Sequence, residues 1–181
     1  MRRKIILVLA VMLVAVFGSA LIANAEEAAP KPKPADVGDK VPNFELPGLD
    51  GANLSFDKDI KGKNDAAFLI FMTSACSACQ AEVSAVNDIK VKYKDKVGIY
   101  AIMVDIRGID TVKPYTVTYK YDATYLLDPK FTVPRLFGFN YTPSILLIDK
   151  DGKIVFKKGG YTPGDEEMLQ DKVVGMVKAK K

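Results

Sequence analysis

The sequence predicts an α/β fold with a mixed central β-sheet and helices on both faces. Three observations carry that prediction. An unbroken apolar run, Ala66–Met72, hands over within a few residues to a helical pattern,. A second β-rich run, Val97–Val104, follows that helix, and strand–helix–strand order implies parallel pairing,. Later, Ser144–Ile148 and Lys153–Lys158 flank Asp149-Lys-Asp-Gly152, the signature of an antiparallel hairpin, and one more helical pattern closes the chain,.

The 181-residue chain opens on Arg2-Arg3-Lys4, a positive n-region, followed by the apolar run Ile5–Phe17 and by Ala23-Asn24-Ala25, a small-x-small cleavage pattern,. Residues 1–25 are therefore read as a secretory signal peptide. The alternative is an uncleaved anchor, since Ile5–Ala23 is just long enough to span a bilayer,. Either reading puts the rest of the chain in an extracytoplasmic space, because the positive start stays inside. Residues 26–36 form a linker in which Pro30, Pro32 and Pro34 alternate with lysine, favouring extended polyproline II,.

Residues 37–181 form the expected domain. Val41–Leu46 and Asn53–Phe56 flank the Asp50-Gly51 turn as an extra N-terminal β-hairpin, and Ile60–Asn64 is a polar loop,. After the Ala66–Met72 strand, Val83, Val86, Ile89 and Tyr93 recur at helical spacing, so a helix runs to about Lys94,. Asp110–Asp122 is expected as a helix capped at Thr111, with Pro114 in its first turn, against the strand propensity of Tyr115–Tyr119,. Tyr125–Leu127 is a short extended segment, and Lys130–Phe137 a short helix ended by Gly138. Asp165-Glu-Glu167 places acid in the first turn of the last helix, whose apolar face is Leu169, Val173, Met176 and Val177,. Lys178–Lys181 is a basic tail.

Composition excludes several functions. With no histidine, Ser/His/Asp and Cys/His catalysis are absent and the commonest metal ligand is missing,. The formal charge is +4, but taking Arg2, Arg3 and Lys4 from the 26 Lys and Arg leaves 23, against 22 Asp and Glu. That balance gives no case for nucleic-acid binding. The two cysteines, Cys76 and Cys79, are the only ones in the chain and stand at a strand-to-helix junction. Backbone N–H groups and the helix dipole favour an anion there, and the thiolate is the reactive form of cysteine. Thiol–disulfide chemistry follows. A purely structural disulfide would close so small a loop that it removes little chain entropy, and two thiolates leave zinc short of ligands. No metal and no cofactor are expected.

The strand–Cys76-Ser-Ala-Cys79–helix unit, Thr142-Pro143 before a strand and hairpin, and the final helix resemble the thioredoxin fold. Gly38–Leu46, Asp50-Gly51 and Leu127-Asp128-Pro129 resemble the TlpA/ResA-type thiol–disulfide oxidoreductases of the redoxin group. That resemblance implies a thioredoxin-like three-layer sandwich over about Val37–Val177. It implies Cys76 as nucleophile and Cys79 as the buried resolving thiol, paired as a disulfide when oxidised. It further implies a cis Thr142–Pro143 bond beside the cysteines, with the Thr142 backbone free to pair with substrate; an ordinary trans proline is the alternative. Glu82 matches a family glutamate that moves the proton of the second thiol, or is an exposed acid favouring the helix dipole. Tyr141 and Phe139 flank the Thr-Pro loop, where core packing is the plainer reading. Ala75 stands where the family has tryptophan, and no proline lies between the cysteines.

The implied function is an exported oxidoreductase exchanging its dithiol/disulfide with protein thiols and disulfides. Its expected direction is reductive, in extracytoplasmic protein or cytochrome c maturation, with a membrane electron donor as partner and a membrane tether if the first segment stays uncleaved. A thiol peroxidase is the alternative, since Thr73-Ser-Ala-Cys76 has the Thr-x-x-Cys pattern, although Leu69 stands where peroxidases carry proline. A non-enzymatic metal chaperone of the same fold is the third reading.

Overall fold

The computed structural model describes residues 33–178, and the unit holding the cysteines begins at Pro34. The signal or anchor segment, most of the linker and the end of the basic tail lie outside the described residues. Seven strands follow: β1 (Glu45–Pro47), β2 (Asn53–Ser55), β3 (Ala66–Met72), β4 (Val97–Met103), β5 (Thr124–Leu127), β6 (Ser144–Asp149) and β7 (Ile154–Gly159). The helices are α1 (Ser77–Tyr93), α2 (Ile109–Thr118), α3 (Thr132–Arg135) and α4 (Asp165–Lys178).

The main sheet runs β5-β4-β3-β6-β7. β3 pairs parallel with β4, and β4 with β5, because helices α1 and α2 carry the chain back between them,. β6 and β7 add antiparallel, as the Asp-Gly turn requires. Every residue of β3 and β4 is buried, which is why both read as continuous apolar runs rather than alternating ones,.

Side-chain alternation along β3 separates two cores. Phe68, Ile70 and Met72 meet Cys79, Val83 and Val86 of α1, Val112 and Tyr115 of α2, and Leu169 and Val173 of α4. Leu69 and Phe71 face the other way, toward Phe44, Phe56, Val133 and Phe137. Each large side chain buried this way contributes about 1.5–3 kcal/mol. The β1–β2 hairpin, a wide helical turn at Phe56–Ile60 and α3 make the second outer layer. The sandwich with its extra N-terminal hairpin is therefore present.

Two local expectations are corrected. Phe56 does not continue β2 but opens the turn, whose Lys61 N–H reaches the Phe56 carbonyl at 2.9 Å; the pull is burial of Phe56 and Ile60 together. Thr111 does not cap α2. Gly108 does, in a left-handed conformation (φ 55°) that lets the chain turn sharply out of β4,. The Thr111 hydroxyl is buried without a hydrogen-bond partner among the described residues, and Pro114 lies inside the helix rather than in its first turn. Buried Asp128 takes hydrogen bonds from the Thr132 N–H and hydroxyl and the Val133 N–H, and so fixes the start of α3.

Candidate active site

The cysteines lie where β3 delivers the chain to α1. Val104 N–H bonds the Met72 carbonyl at 2.9 Å, extending the β3–β4 pairing by a step before the chains separate. The Thr73–Ala75 loop then turns, with Cys76 N–H on the Thr73 carbonyl at 3.3 Å. Cys76 is the N-cap of α1, with extended backbone (φ −94°, ψ 108°), and its Sγ accepts from the Cys79 N–H at 3.2 Å. An N-cap side chain ordinarily satisfies one of the free N–H groups of a helix start, and here sulfur does so. Cys76 and Cys79 are joined as a disulfide, with Cα atoms 5.2 Å apart. Cys79 is fully buried, while Cys76 is partly exposed between exposed Ala75 and Ser77.

Glu82 stands three residues into α1 beyond Cys79 and is 1% exposed. The surface-acid alternative therefore fails. Its Oε2 has no hydrogen-bond partner among the described residues. Burial first and nearby Asp165 second, opposed by Lys158, together push its pKa up to about 8,. Lys158, on β7, is ion-paired with Asp165 at the start of α4, and Asp165 also accepts the Thr162 N–H at 2.7 Å. A carboxyl with this pKa holds a proton at neutral pH and can release it over an accessible range.

The Thr142–Pro143 peptide bond is cis. Antiparallel pairing sets Phe71 opposite Ser144. Thr142 and Pro143 come immediately before β6, whose first residue is thereby paired with the last but one residue of β3. Pro143 is buried, and Gly160 N–H bonds its carbonyl at 2.7 Å. Thr142 is partly exposed and lies ahead of the first β6–β7 pair, Ser144↔Gly159. Phe139 packs in the core, whereas Tyr141 is 54% exposed.

Ser74, Gln80 and Asp105 also belong to the site and were not singled out from the sequence. Asp105 takes three hydrogen bonds from Ser74, and Gln80 Nε2 donates to the Ser74 carbonyl at 3.3 Å. The parallel β3–β4 register, in which Met72 pairs with Met103, carries the chain on to Ser74 and Asp105, and no local pattern in the sequence records that pairing. Among the described residues, no group of three His, Cys, Asp or Glu could hold a metal ion. A groove of about 730 Å³ lies between α1 and α4, lined by Asp88, Glu166 and Asp171 among others, but neither cysteine lines it. Cys76 is reached from the open surface, which suits a protein partner more than an enclosed small ligand.

The AhpC/TSA family model matches residues 37–157. The chain belongs to the AhpC/TSA family. Within this redoxin family it is an oxidoreductase of the TlpA/ResA type. It is 32% identical over 126 residues to thiol-disulfide oxidoreductase ResA of Bacillus thuringiensis subsp. konkukian, covering 69% of this chain and 70% of that protein. Against ResA of Bacillus anthracis the identity is 33% over 120 residues, 66% of this chain and 67% of the relative. Among solved structures, one from Chlorobium tepidum assigned as thiol:disulfide interchange protein DsbE aligns with a TM-score of 0.70 and 28% identity, over 78% of this chain and 97% of that one. Thiol–disulfide exchange is the chemistry that this family membership and the Cys76–Cys79 disulfide support together. No helix of the described residues is long and apolar enough to cross a membrane.

Proposed function

We propose that this AhpC/TSA-family chain is an exported reductant of protein disulfides, acting in extracytoplasmic protein or cytochrome c maturation. The observation that carries the reading is the asymmetry of the pair: a partly exposed Cys76 capping a helix, and a fully buried Cys79 three residues before a buried carboxyl on the same helix. In the reduced protein, the Cys76 thiolate attacks one sulfur of a substrate disulfide. A mixed disulfide forms, and the substrate's other sulfur leaves as thiolate. Glu82, once it has released its own proton to solvent, takes the proton of Cys79, whose sulfur then attacks Cys76 and releases the second substrate thiolate,. The substrate gains two electrons, and Cys76–Cys79 returns to the disulfide. A membrane dithiol donor restores it. The Thr142 backbone, just ahead of β6, pairs with an extended segment of the substrate,.

Export rests on Arg2-Arg3-Lys4, the Ile5–Phe17 run and the Ala23-Asn24-Ala25 pattern. A mature N-terminus at Glu26 supports cleavage, and retention of residues 1–25 in the membrane fraction supports the tether.

The test is trapping with Cys79→Ser. The expected result is a partner protein held as a mixed disulfide on Cys76. No capture on Cys76, under conditions that trap a relative of the same family, overturns the assignment. Rapid peroxide turnover by the reduced protein would replace it with a thiol peroxidase.

A further inference from the structure

Asp105 has no part in the exchange steps above, yet its carboxylate is devoted to the cysteine loop. It is 8% exposed and sits just past the end of β4. Ser74 donates to it three times: backbone N–H to Oδ1 at 3.2 Å and to Oδ2 at 3.1 Å, and hydroxyl to Oδ1 at 2.6 Å. The remaining polar group of Ser74, its carbonyl, is taken by Gln80 from the first turn of α1. Ser74 is thus tied on one side to the sheet and on the other to the helix whose N-cap is Cys76. Only Ala75 separates the two residues, and its exposed methyl gives the loop no packing of its own.

We propose that Asp105 is a positioning residue for Cys76. By holding Ser74 it fixes the extended N-cap conformation that points the Cys76 sulfur at the Cys79 N–H. The loop is only three residues long, so freedom at Ser74 passes directly to the sulfur. The N-cap hydrogen bond and the helix-start field stabilise a thiolate only while the sulfur stays in line with them. Asp105 therefore sets how much reactive thiolate Cys76 presents, without touching the substrate. This inference rests on the reading of Cys76 as the attacking sulfur.

The test uses the reduced full-length protein and its Asp105→Ala, Asp105→Asn and Ser74→Ala variants. Two quantities are read: the rate of Cys76 alkylation at neutral pH, and the pH at which thiolate absorbance appears. Asp105→Ala should slow alkylation about tenfold and move thiolate formation to higher pH. Asp105→Asn keeps an oxygen acceptor for Ser74 and should stay within about threefold of wild type. Equal behaviour of wild type and both variants overturns the proposal, since a merely structural role changes stability alone. Equal acceleration in both variants also overturns it, because that is a charge effect rather than a positional one. If Asp105→Ala does not fold, Ser74→Ala decides: about threefold slower alkylation supports the proposal and an unchanged rate contradicts it. Cys76→Ser is the separate control. If it does not abolish fast alkylation, the nucleophile assignment itself fails, whatever Asp105 does.

Discussion

Two buried carboxyl groups flank one disulfide, and they could hardly be placed more differently. Glu82, on α1 behind Cys79, leaves an oxygen without a hydrogen-bond partner among the described residues. Asp105, beyond β4, has both oxygens occupied by Ser74. An unpartnered buried carboxyl favours its neutral form and gives up its proton late, which makes it fit to carry one. A fully bonded carboxylate is costly to disturb and so fit to hold a loop. Glu82 thus belongs with the second step of the proposed exchange, and Asp105 with the geometry of the first.

The largest expected effect breaks the comparison on the Glu82 side. Glu82→Gln should slow release of the mixed disulfide by about a hundredfold, the usual contribution of a placed general base. Stopped-flow resolution of a preformed Cys76 mixed disulfide measures this, and a rate within about twofold of wild type removes Glu82 from the mechanism.

Stability gives a second test. Unfolded, Glu82 loses its proton near 4.5; folded, it holds it up to about 8. Between those values the folded state binds the extra proton, so this group makes stability fall as pH rises, by about 1.4 kcal/mol per pH unit. Below the window its contribution is unaffected by pH. Urea unfolding of the oxidised proteins at pH 5 and pH 7 should show wild type losing roughly 2–3 kcal/mol relative to Glu82→Gln. Parallel behaviour of the two proteins would contradict the burial argument.

A smaller effect sharpens the Asp105 side by using a carboxylate with the same bonding style elsewhere. Asp128 is buried and takes three hydrogen bonds at the start of α3, on the opposite layer from the cysteines. Asp128→Ala should cost about 1–2 kcal/mol in stability and leave the Cys76 alkylation rate unchanged. If it slows Cys76 as much as Asp105→Ala does, bonding of any buried aspartate, rather than position, is responsible.

Much of this was legible in the chain. The β3 and β4 runs, the α1 periodicity, the Asp149–Gly152 turn and the pair Cys76/Cys79 depend on local pattern, which sequence records directly,. The parts that were not legible depend on tertiary contact. Thr111 has the chemistry of a cap, but Gly108 alone can take the left-handed conformation that the exit from β4 demands,. Phe56 has strand propensity, but its burial with Ile60 winds the chain into a turn. Glu82 could be placed on the helix but not on its buried face, because Lys158 and Asp165 come from more than seventy residues away. Asp105 carries no local signal in the sequence, since its partner Ser74 is 31 positions distant.

The most direct test follows both steps in one experiment. Reduced wild type, Glu82→Gln and Asp105→Ala are mixed with a disulfide substrate, and formation and resolution of the mixed disulfide are timed separately. Asp105→Ala should slow formation, and Glu82→Gln should slow resolution. Both variants slowing the same step to the same extent would contradict this division of roles.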